Sequence, residues 1–570
     1  MPKSRFPWLS LRKKTDPEFP VEPPMWMGSR SNGEYFHQQT SRERLIRKLV
    51  LERADESSRK LGMDRREFLA SSMGMFTTLA VINQVGGCGG DDGDGTTSTS
   101  VADAAMGSAP DAGAMVDAAA ADAASGATGK GNAIGSCPYV VPTEATCEET
   151  DLLSGDEFIF DVQTHSFDDG EWRQRNNVYA SFLGILATCT DASERLACFD
   201  EQHYGTLMFV ESDTTVSVIS SWPAQLCSEG GPSVCGLPLS NPAMRELRDS
   251  INRRAKSERV VNQVQVMAND RWELQAEAMT MAAQDPAWGA VAWKGYPGWG
   301  PADAGIGGAG YFLNDDTGRT FIEHGLSLGV SNFAIHKGLP IPGFDVEHNQ
   351  PVEVGATAKE YPEATFIIYH SGIGAGTGNI LSVATPERVP FDENIEDPLQ
   401  HQGVNQLIAS MRQAGLGAGD NVYAEMGSAW SNVMDDPVAA QHYIGKLLKY
   451  FGEDNIVWGT DSILYGSPQP QIDAFRRFQI TEEFQEMYGY PQLTEQARRK
   501  IFGLNAAAIY CVDPDAKRCA VTADEFASVR QHWDADFGPR RWAIQEPLGP
   551  TSRREFLQLA RFNRARRQPG

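Results

Sequence analysis

Residues 365–372 read Thr-Phe-Ile-Ile-Tyr-His-Ser-Gly, a short run of β-branched and aromatic residues that ends in polar groups. Such a run is typical of a buried strand. Seven further runs share this composition, and helix-like segments separate most of them. Eight alternations of strand and helix predict an α/β fold, a (β/α)8 TIM barrel. The predicted strands are Phe158–His165, Thr206–Ser220, Val260–Ala268, Ala290–Lys294, Ser331–His336, Thr365–His370, Asn421–Glu425 and Asn455–Asp461.

A doubly wound open sheet is the alternative arrangement for such a pattern. That fold usually carries a glycine-rich phosphate loop directly after its first strand. No Gly-x-Gly-x-x-Gly follows Phe158–His165, and no Walker-type loop occurs in the sequence. The pattern therefore favours the barrel, which we place at residues 151–512, followed by a helical extension at 513–570.

Composition narrows the function classes. The chain has 570 residues, and its 50 Lys and Arg against 75 Asp and Glu give a formal charge of −25. This acidic balance argues against a nucleic-acid partner. No apolar run reaches the roughly 18 residues that a membrane-spanning helix needs, so a polytopic membrane protein is excluded. We expect a small-molecule substrate, and the sequence leaves a homo-oligomer open.

The N-terminal part, residues 1–88, resembles a leader for export. Asp64–Leu69 contains twin arginines followed by Phe-Leu, and the mildly apolar segment Leu69–Val85 comes next. Cys88 follows Val-Gly-Gly, as in a loose lipobox, and 89–150 is a low-complexity acidic linker. We expect export to the periplasm or cell surface, with lipidation of Cys88 as the only membrane anchor. The alternative is a buried helix, since Arg-Arg-Glu-Phe-Leu recurs at Arg553–Leu557 without an apolar run.

Cysteine spacing agrees with an oxidising compartment. Eight of the nine cysteines remain once Cys88 is set aside, and none forms a Cys-x-x-Cys metal motif. An even number in close pairs predicts four local disulfides, whereas cytosolic thiols would have no reason to pair by position. The predicted pairs are Cys137/Cys147, Cys189/Cys198, Cys227/Cys235 and Cys511/Cys519.

Four predicted strands end in residues that can bind a metal: His165, His336, His370 and Asp461. The carboxyl ends of barrel strands meet at one mouth, where the active site of such folds lies. Three imidazoles and a carboxylate suit one divalent ion, with Zn favoured over Mn. A metal-activated water could act as nucleophile, and Asp461 could accept its proton.

Residues from Asp156 to about Val512 resemble the amidohydrolase-related family, a group of metal-dependent barrel hydrolases and decarboxylases. The resemblance implies that His165, His336 and His370 are metal-site or catalytic histidines and that Asp461 is the metal ligand of strand 8. The matching segments are 161–165, 336–340, 369–372, 459–461 and 503–507.

Gln163 departs from the family pattern, which has His or Glu at this position of the first strand. A neutral amide is a poor zinc ligand beside imidazole or carboxylate. Three interpretations follow. Either His165, His336 and Asp461 hold the metal with His370 as acid or base, or Gln163 ligates weakly or binds substrate, or the site has lost its metal.

Weaker candidates surround this site. Lys294 ends the fourth predicted strand, and we expect Lys294 and Tyr296 to contact substrate, with Glu425 supporting a ligand. The sequence predicts a metal-dependent hydrolase that acts on a small organic substrate. A metal-dependent decarboxylase and a catalytically inactive binding barrel remain as alternatives.

Overall fold

The structure is a computed structural model of the chain. It describes residues 41–61, 68–69, 155, 157–167, 199–223, 239–302, 305–306, 308–341, 343–378, 382–521 and 524–537.

Eight parallel strands form one sheet in chain order. The last strand returns to the first, because the Val162 N–H donates to Trp458 O at 3.0 Å and the Asp461 N–H donates to Gln163 O at 3.0 Å. The predicted (β/α)8 barrel is confirmed. Its strands are β1 Phe160–His165, β2 Val216–Ser220, β3 Val260–Val266, β4 Ala290–Gly295, β5 Asn332–His336, β6 Thr365–Tyr369, β7 Val422–Glu425 and β8 Ile456–Val457.

The prediction of a strand over Thr206–Ser220 is wrong for its first part. Thr206–Val210 is a π-helical turn that continues the helix Glu201–Gly205, and only Val216–Ser220 is a strand. The turn buries Met208, Phe209 and Val210. A short apolar run of this kind fits a buried helical turn as well as a strand, so its composition could not separate the two.

Helices connect the strands and cover the outside of the barrel. Asn241–Ala255 shows how local sequence sets their ends: the Ser240 hydroxyl accepts from the Ala243 N–H, and Lys256 ends the helix in the left-handed region. The other α-helices of the barrel unit are Trp272–Gln284, Asp316–Ser327, Val354–Glu360, Val404–Ala414, Gly427–Val433, Pro437–Tyr450, Gln469–Arg477, Glu482–Tyr488, Glu495–Arg499 and Asn505–Tyr510.

The described part of the predicted C-terminal extension packs against the barrel. It contains the helices Pro514–Ala520 and Glu525–Phe537. Arg259 pairs with Asp524 at 2.6 Å with both side chains buried, and Arg530 Nε donates to Val210 O at 3.0 Å. The extension therefore belongs to the same compact unit as the barrel.

A second compact unit contains most of the helix Ser41–Leu61. Lys60 pairs with Glu56 one turn earlier on that helix, at 2.6 Å. In the described part of the chain, no helix combines the length and the apolar character that crossing a bilayer requires. The twin arginines, Cys88 and the acidic linker lie outside the described residues.

The disulfide prediction is untested for most cysteines. Only Cys511 and Cys519 lie among the described residues, and the three other predicted pairs lie outside them. The structure does not join Cys511 to Cys519, so that predicted pair is wrong, and the three other pairs stay a prediction.

Candidate active site

The structure brings the four predicted strand-end residues together. His165 ends β1, His336 ends β5, His370 follows β6 directly, and Asp461 lies in the segment after β8. All four side chains are buried. His165 Nε2 lies 2.8 Å from Asp461 Oδ1, and His370 Nε2 lies 3.2 Å from His336 Nδ1. The carboxyl ends of the strands meet at the barrel mouth, as predicted, and the four side chains form one cluster there.

The hydrogen bonds of His165 determine which of its nitrogens carries a proton. Nδ1 faces the carbonyl oxygen of Ser220 at 3.2 Å, and a carbonyl only accepts, so Nδ1 is the donor. In the neutral ring, Nε2 then presents a lone pair to Asp461 Oδ1 at 2.8 Å, which is also an acceptor. Two acceptors at this distance require a proton or a cation between them.

His336 and His370 are oriented in the same way by their backbone contacts. His336 Nε2 donates to Leu339 O at 3.0 Å, which leaves a lone pair on Nδ1. The Ser428 backbone N–H donates to His370 Nδ1 at 3.2 Å, so the proton of neutral His370 sits on Nε2. That N–H donates to His336 Nδ1.

Burial and charge set the ionisation of the cluster. Burial lowers the pKa of His336 well below its usual range and the pKa of His370 to about 3, so both rings are neutral near pH 7. Burial alone would raise the pKa of Asp461, but its contacts with His165, His370 and Ser428 outweigh burial and lower that pKa. A neutral His336 beside an ionised Asp461 is in the protonation state that a metal ion requires of its ligands.

The donor set fits a divalent cation by its chemistry. Lone pairs of His165 Nε2, His336 Nδ1 and Asp461 Oδ1 make a set of two imidazoles and one carboxylate, as in catalytic zinc sites that keep one position open. The side chains nevertheless hydrogen-bond to one another, and within the described ranges no group of three or more His, Cys, Asp or Glu has the geometry of a preformed metal site.

Gln163 supports the carboxylate in this arrangement. Its Nε2 donates to Asp461 Oδ1 at 2.8 Å and lies 3.3 Å from His370 Nε2. Its Oε1 is buried and has no hydrogen-bond partner among the described residues. That orphaned oxygen is a polar atom that a cation or a substrate donor would satisfy.

The cluster lines a cavity of about 20 Å³, enough for roughly one water molecule. Trp222, Leu339, Ile341 and Leu464 give it apolar walls. No Lys or Arg occurs among the described residues that line it. The space beside the cluster is thus small and mostly apolar.

The two predicted substrate contacts differ in position. Tyr296 lines the cavity and stacks on His336, with ring centroids 5.2 Å apart. Lys294 is fully buried and is absent from the cavity wall, with its Nζ 3.3 Å from the centre of the Tyr369 ring. Burial lowers the pKa of Lys294 well below its usual range.

Sequence reasoning missed Ser428, although it contacts two members of the cluster. Its hydroxyl donates to Asp461 Oδ2 and lies 3.1 Å from the Tyr465 hydroxyl, while its N–H orients His370. The only available signal was its position three residues after the end of β7.

Glu425, at the end of β7, holds the backbone of the site. Its Oε2 accepts from the His370 N–H at 2.8 Å, and its Oε1 accepts from the Gly427 N–H at 2.5 Å. A Cβ atom at Gly459 would overlap this carboxylate, so glycine is required there. Burial raises the pKa of Glu425 well above its usual range.

One family model matches the second part of the barrel by sequence. Residues 290–512 match the Amidohydrolase family model. This range contains β4 to β8 with His336, His370 and Asp461, and it begins after His165. No curated protein matches the chain by sequence.

The chain is also similar to solved structures, and the names of two of them state an enzyme activity. A 2,6-dihydroxybenzoate decarboxylase from Rhizobium is 14% identical, covering 62% of this chain and 98% of its own, with a TM-score of 0.36. A probable 2-pyrone-4,6-dicarboxylic acid hydrolase from Acinetobacter baumannii is 15% identical, with the same two coverages and a TM-score of 0.35. At these identities and TM-scores, the similarities say nothing about the substrate of this chain.

Proposed function

We propose that the barrel is a metal-dependent hydrolase that cleaves a C–O or C–N bond of a small, uncharged acyl compound. One observation carries the proposal: His165 Nε2 lies 2.8 Å from Asp461 Oδ1, a contact that needs a proton or a cation, and His336, which keeps a lone pair on Nδ1, lines the same cavity. A cation held by these three atoms satisfies all of them.

The choice of hydrolysis over decarboxylation follows from the cavity wall. A decarboxylase must bind a substrate carboxylate, and a buried anion needs a partner of opposite charge. Among the described residues that line the cavity there is no Lys or Arg, so a substrate carboxylate would depend on the metal ion alone for opposite charge, and Asp461 would already neutralise part of that charge. An uncharged ester, lactone or amide has no such requirement.

In the proposed reaction, different residues bind the ion, stabilise negative charge and accept a proton. His165, His336 and Asp461 would hold the ion, which when bound would act as a Lewis acid toward water or a substrate oxygen. His370 presents a neutral N–H, because Ser428 occupies its other nitrogen, and this N–H can stabilise negative charge on a substrate oxygen. The Asp461 carboxylate, held by Ser428 and Gln163, accepts a proton from the attacking water.

Isotope incorporation tests the reaction type. Protein stripped with a chelator and reloaded with Zn²⁺ is assayed on neutral esters, lactones and amides in ¹⁸O-water, and in parallel on aromatic carboxylic acids with CO2 detection. We expect zinc-dependent appearance of ¹⁸O in the acid product, and its loss in His336→Ala. Zinc-dependent CO2 release without ¹⁸O incorporation would instead establish a decarboxylase. Absence of both bound metal and turnover would establish an inactive barrel.

Gln163→His is expected to strengthen zinc binding on the order of 10-fold, the lower end of the range for groups around a metal site. Imidazole is a better donor to zinc than a neutral amide oxygen. Zinc affinity is measured by competition with a chromophoric chelator. Gln163→Leu is the matched control, since it removes the amide without adding a donor and should not strengthen binding. Equal affinity of Gln163→His and wild type would show that position 163 lies outside the ligand set.

A further inference from the structure

The cavity beside the catalytic cluster is too small for an organic substrate. Its volume is about 20 Å³, whereas a cleft of about 390 Å³ lies next to it. Ile341 lines both spaces, so the two are neighbours across one side chain. Ligand sites usually have volumes of roughly 300–1,000 Å³, and the cleft falls in that range.

The cleft is formed by the segments that follow β5 and β6. Ile341, Phe344, Val346 and Ala375 contribute apolar surface, and the described residues that line it carry no charged side chain. Asn349 and Gln350 are its only side chains with polar groups among those residues. Asn349 Nδ2 donates to the carbonyls of Gly338 and Leu339, so one polar group of the cleft also fixes the loop that carries His336.

Glycines form a large part of the described cleft wall. Five of the described lining residues are glycines in the left-handed region of the backbone, where side chains are strained. At Gly378, no atom of the described residues outside its immediate chain neighbours lies within 4 Å of the place where a Cβ would stand. At this position the backbone borders open space, as expected where a chain approaches a ligand closely.

From these features we infer the substrate class. The geometry points to a neutral acyl compound whose reacting carbonyl lies at the His370–Asp461 cluster and whose bulky apolar group fills the cleft beyond Ile341. This inference rests on the proposed hydrolase function and adds the chemistry of the distal group. A distal carboxylate would lose water against apolar walls, and no described lining residue carries a cation to compensate for that loss.

Val346 offers a substitution that tests the cleft without disturbing the fold. Its side chain lines the cleft and is 50% exposed, so arginine can be accommodated there. Met487→Arg is the matched control, because Met487 is 58% exposed and does not line the cleft. Two fluorescent probes share one aromatic skeleton: N-phenyl-1-naphthylamine is neutral, and 8-anilino-1-naphthalenesulfonate is an anion.

Fluorescence titration of the full chain measures both probes without any turnover. We expect wild type and Met487→Arg to prefer the neutral probe, and Val346→Arg to weaken its binding roughly 10-fold, the scale of a lost hydrophobic contact. The anionic probe should bind Val346→Arg more tightly than wild type. Unchanged affinities in Val346→Arg, or a wild-type preference for the anion, would overturn the inference.

A second comparison links the cleft to substrate choice. We expect the zinc-loaded protein to hydrolyse 4-nitrophenyl hexanoate with a kcat/KM at least about 10-fold above that for the mono-4-nitrophenyl ester of adipic acid, which adds a terminal carboxylate. In Val346→Arg, the kcat/KM for the neutral ester should exceed that for the anionic ester by a smaller factor than in wild type. Hydrolysis of both esters without preference would overturn the cleft inference alone. Probe binding in the cleft without hydrolysis of any ester would instead refute the proposed function.

Discussion

Replacing His370 with alanine is expected to lower kcat by about 10²–10³-fold, the usual cost of losing one hydrogen-bond donor to a developing oxyanion. The reason is the fixed tautomer: Ser428 donates to Nδ1 at 3.2 Å, so Nε2–H is the donor available to substrate. Bound zinc should stay unchanged, because His370 in this state has no lone pair to offer. Steady-state kinetics and metal analysis of the same preparation measure both quantities.

His370→Asn is the matched variant for this prediction. His370 has a φ of 65°, a left-handed conformation that asparagine tolerates better than alanine. Asparagine also keeps an N–H donor, so it should recover part of the lost kcat. Loss of zinc in both variants would show instead that His370 is a metal ligand. Full activity in His370→Ala would remove it from the mechanism.

Lys446→Met is expected to destabilise the barrel by about 3–5 kcal/mol, the usual cost of breaking a buried ion pair from one side. Lys446 Nζ contacts Glu387 Oε2 at 2.6 Å, and both side chains are completely buried. Without the lysine, the Glu387 carboxylate keeps one hydrogen bond, from the Val404 N–H at 2.9 Å. Urea denaturation of wild type and variant measures the difference in unfolding free energy.

The double variant Lys446→Met/Glu387→Gln separates charge from packing. A glutamine oxygen can still accept from Val404, and no uncompensated charge remains, so much of the lost stability should return. Breaking an exposed ion pair lowers the free energy of unfolding by less than about 1 kcal/mol. A loss this small in Lys446→Met would show that the pair is not buried as described. If the double variant is no better than the single one, packing around Lys446 is the cause.

The sequence predicted the barrel because its signal is local and repeated. Each strand needs only a few apolar residues, and the polar residue at its end follows from the same alternation, as at His336 and His370. The error at Thr206–Val210 shows the limit of this signal, since a buried π-helical turn and a strand bury the same residue types.

The tautomers and hydrogen bonds of the site could not be predicted from the sequence. The tautomer of His370 depends on Ser428, which is 58 positions away in the chain, and that of His165 depends on the carbonyl of Ser220. Such contacts come from how loops meet at the barrel mouth, which hydrophobic periodicity does not encode. For the same reason the sequence indicated Lys294 as a substrate contact, whereas the folded chain keeps its amine off the cavity wall.

Zinc titration of the metal-free wild type, His336→Ala and His370→Ala tests the central claim most directly. The claim is that His165, His336 and Asp461 hold one ion while His370 stays free. It predicts one zinc per wild-type chain, an affinity weaker by at least about 10–100-fold in His336→Ala, and an unchanged affinity in His370→Ala. No zinc binding by the wild type, or equal losses in the two variants, would contradict it.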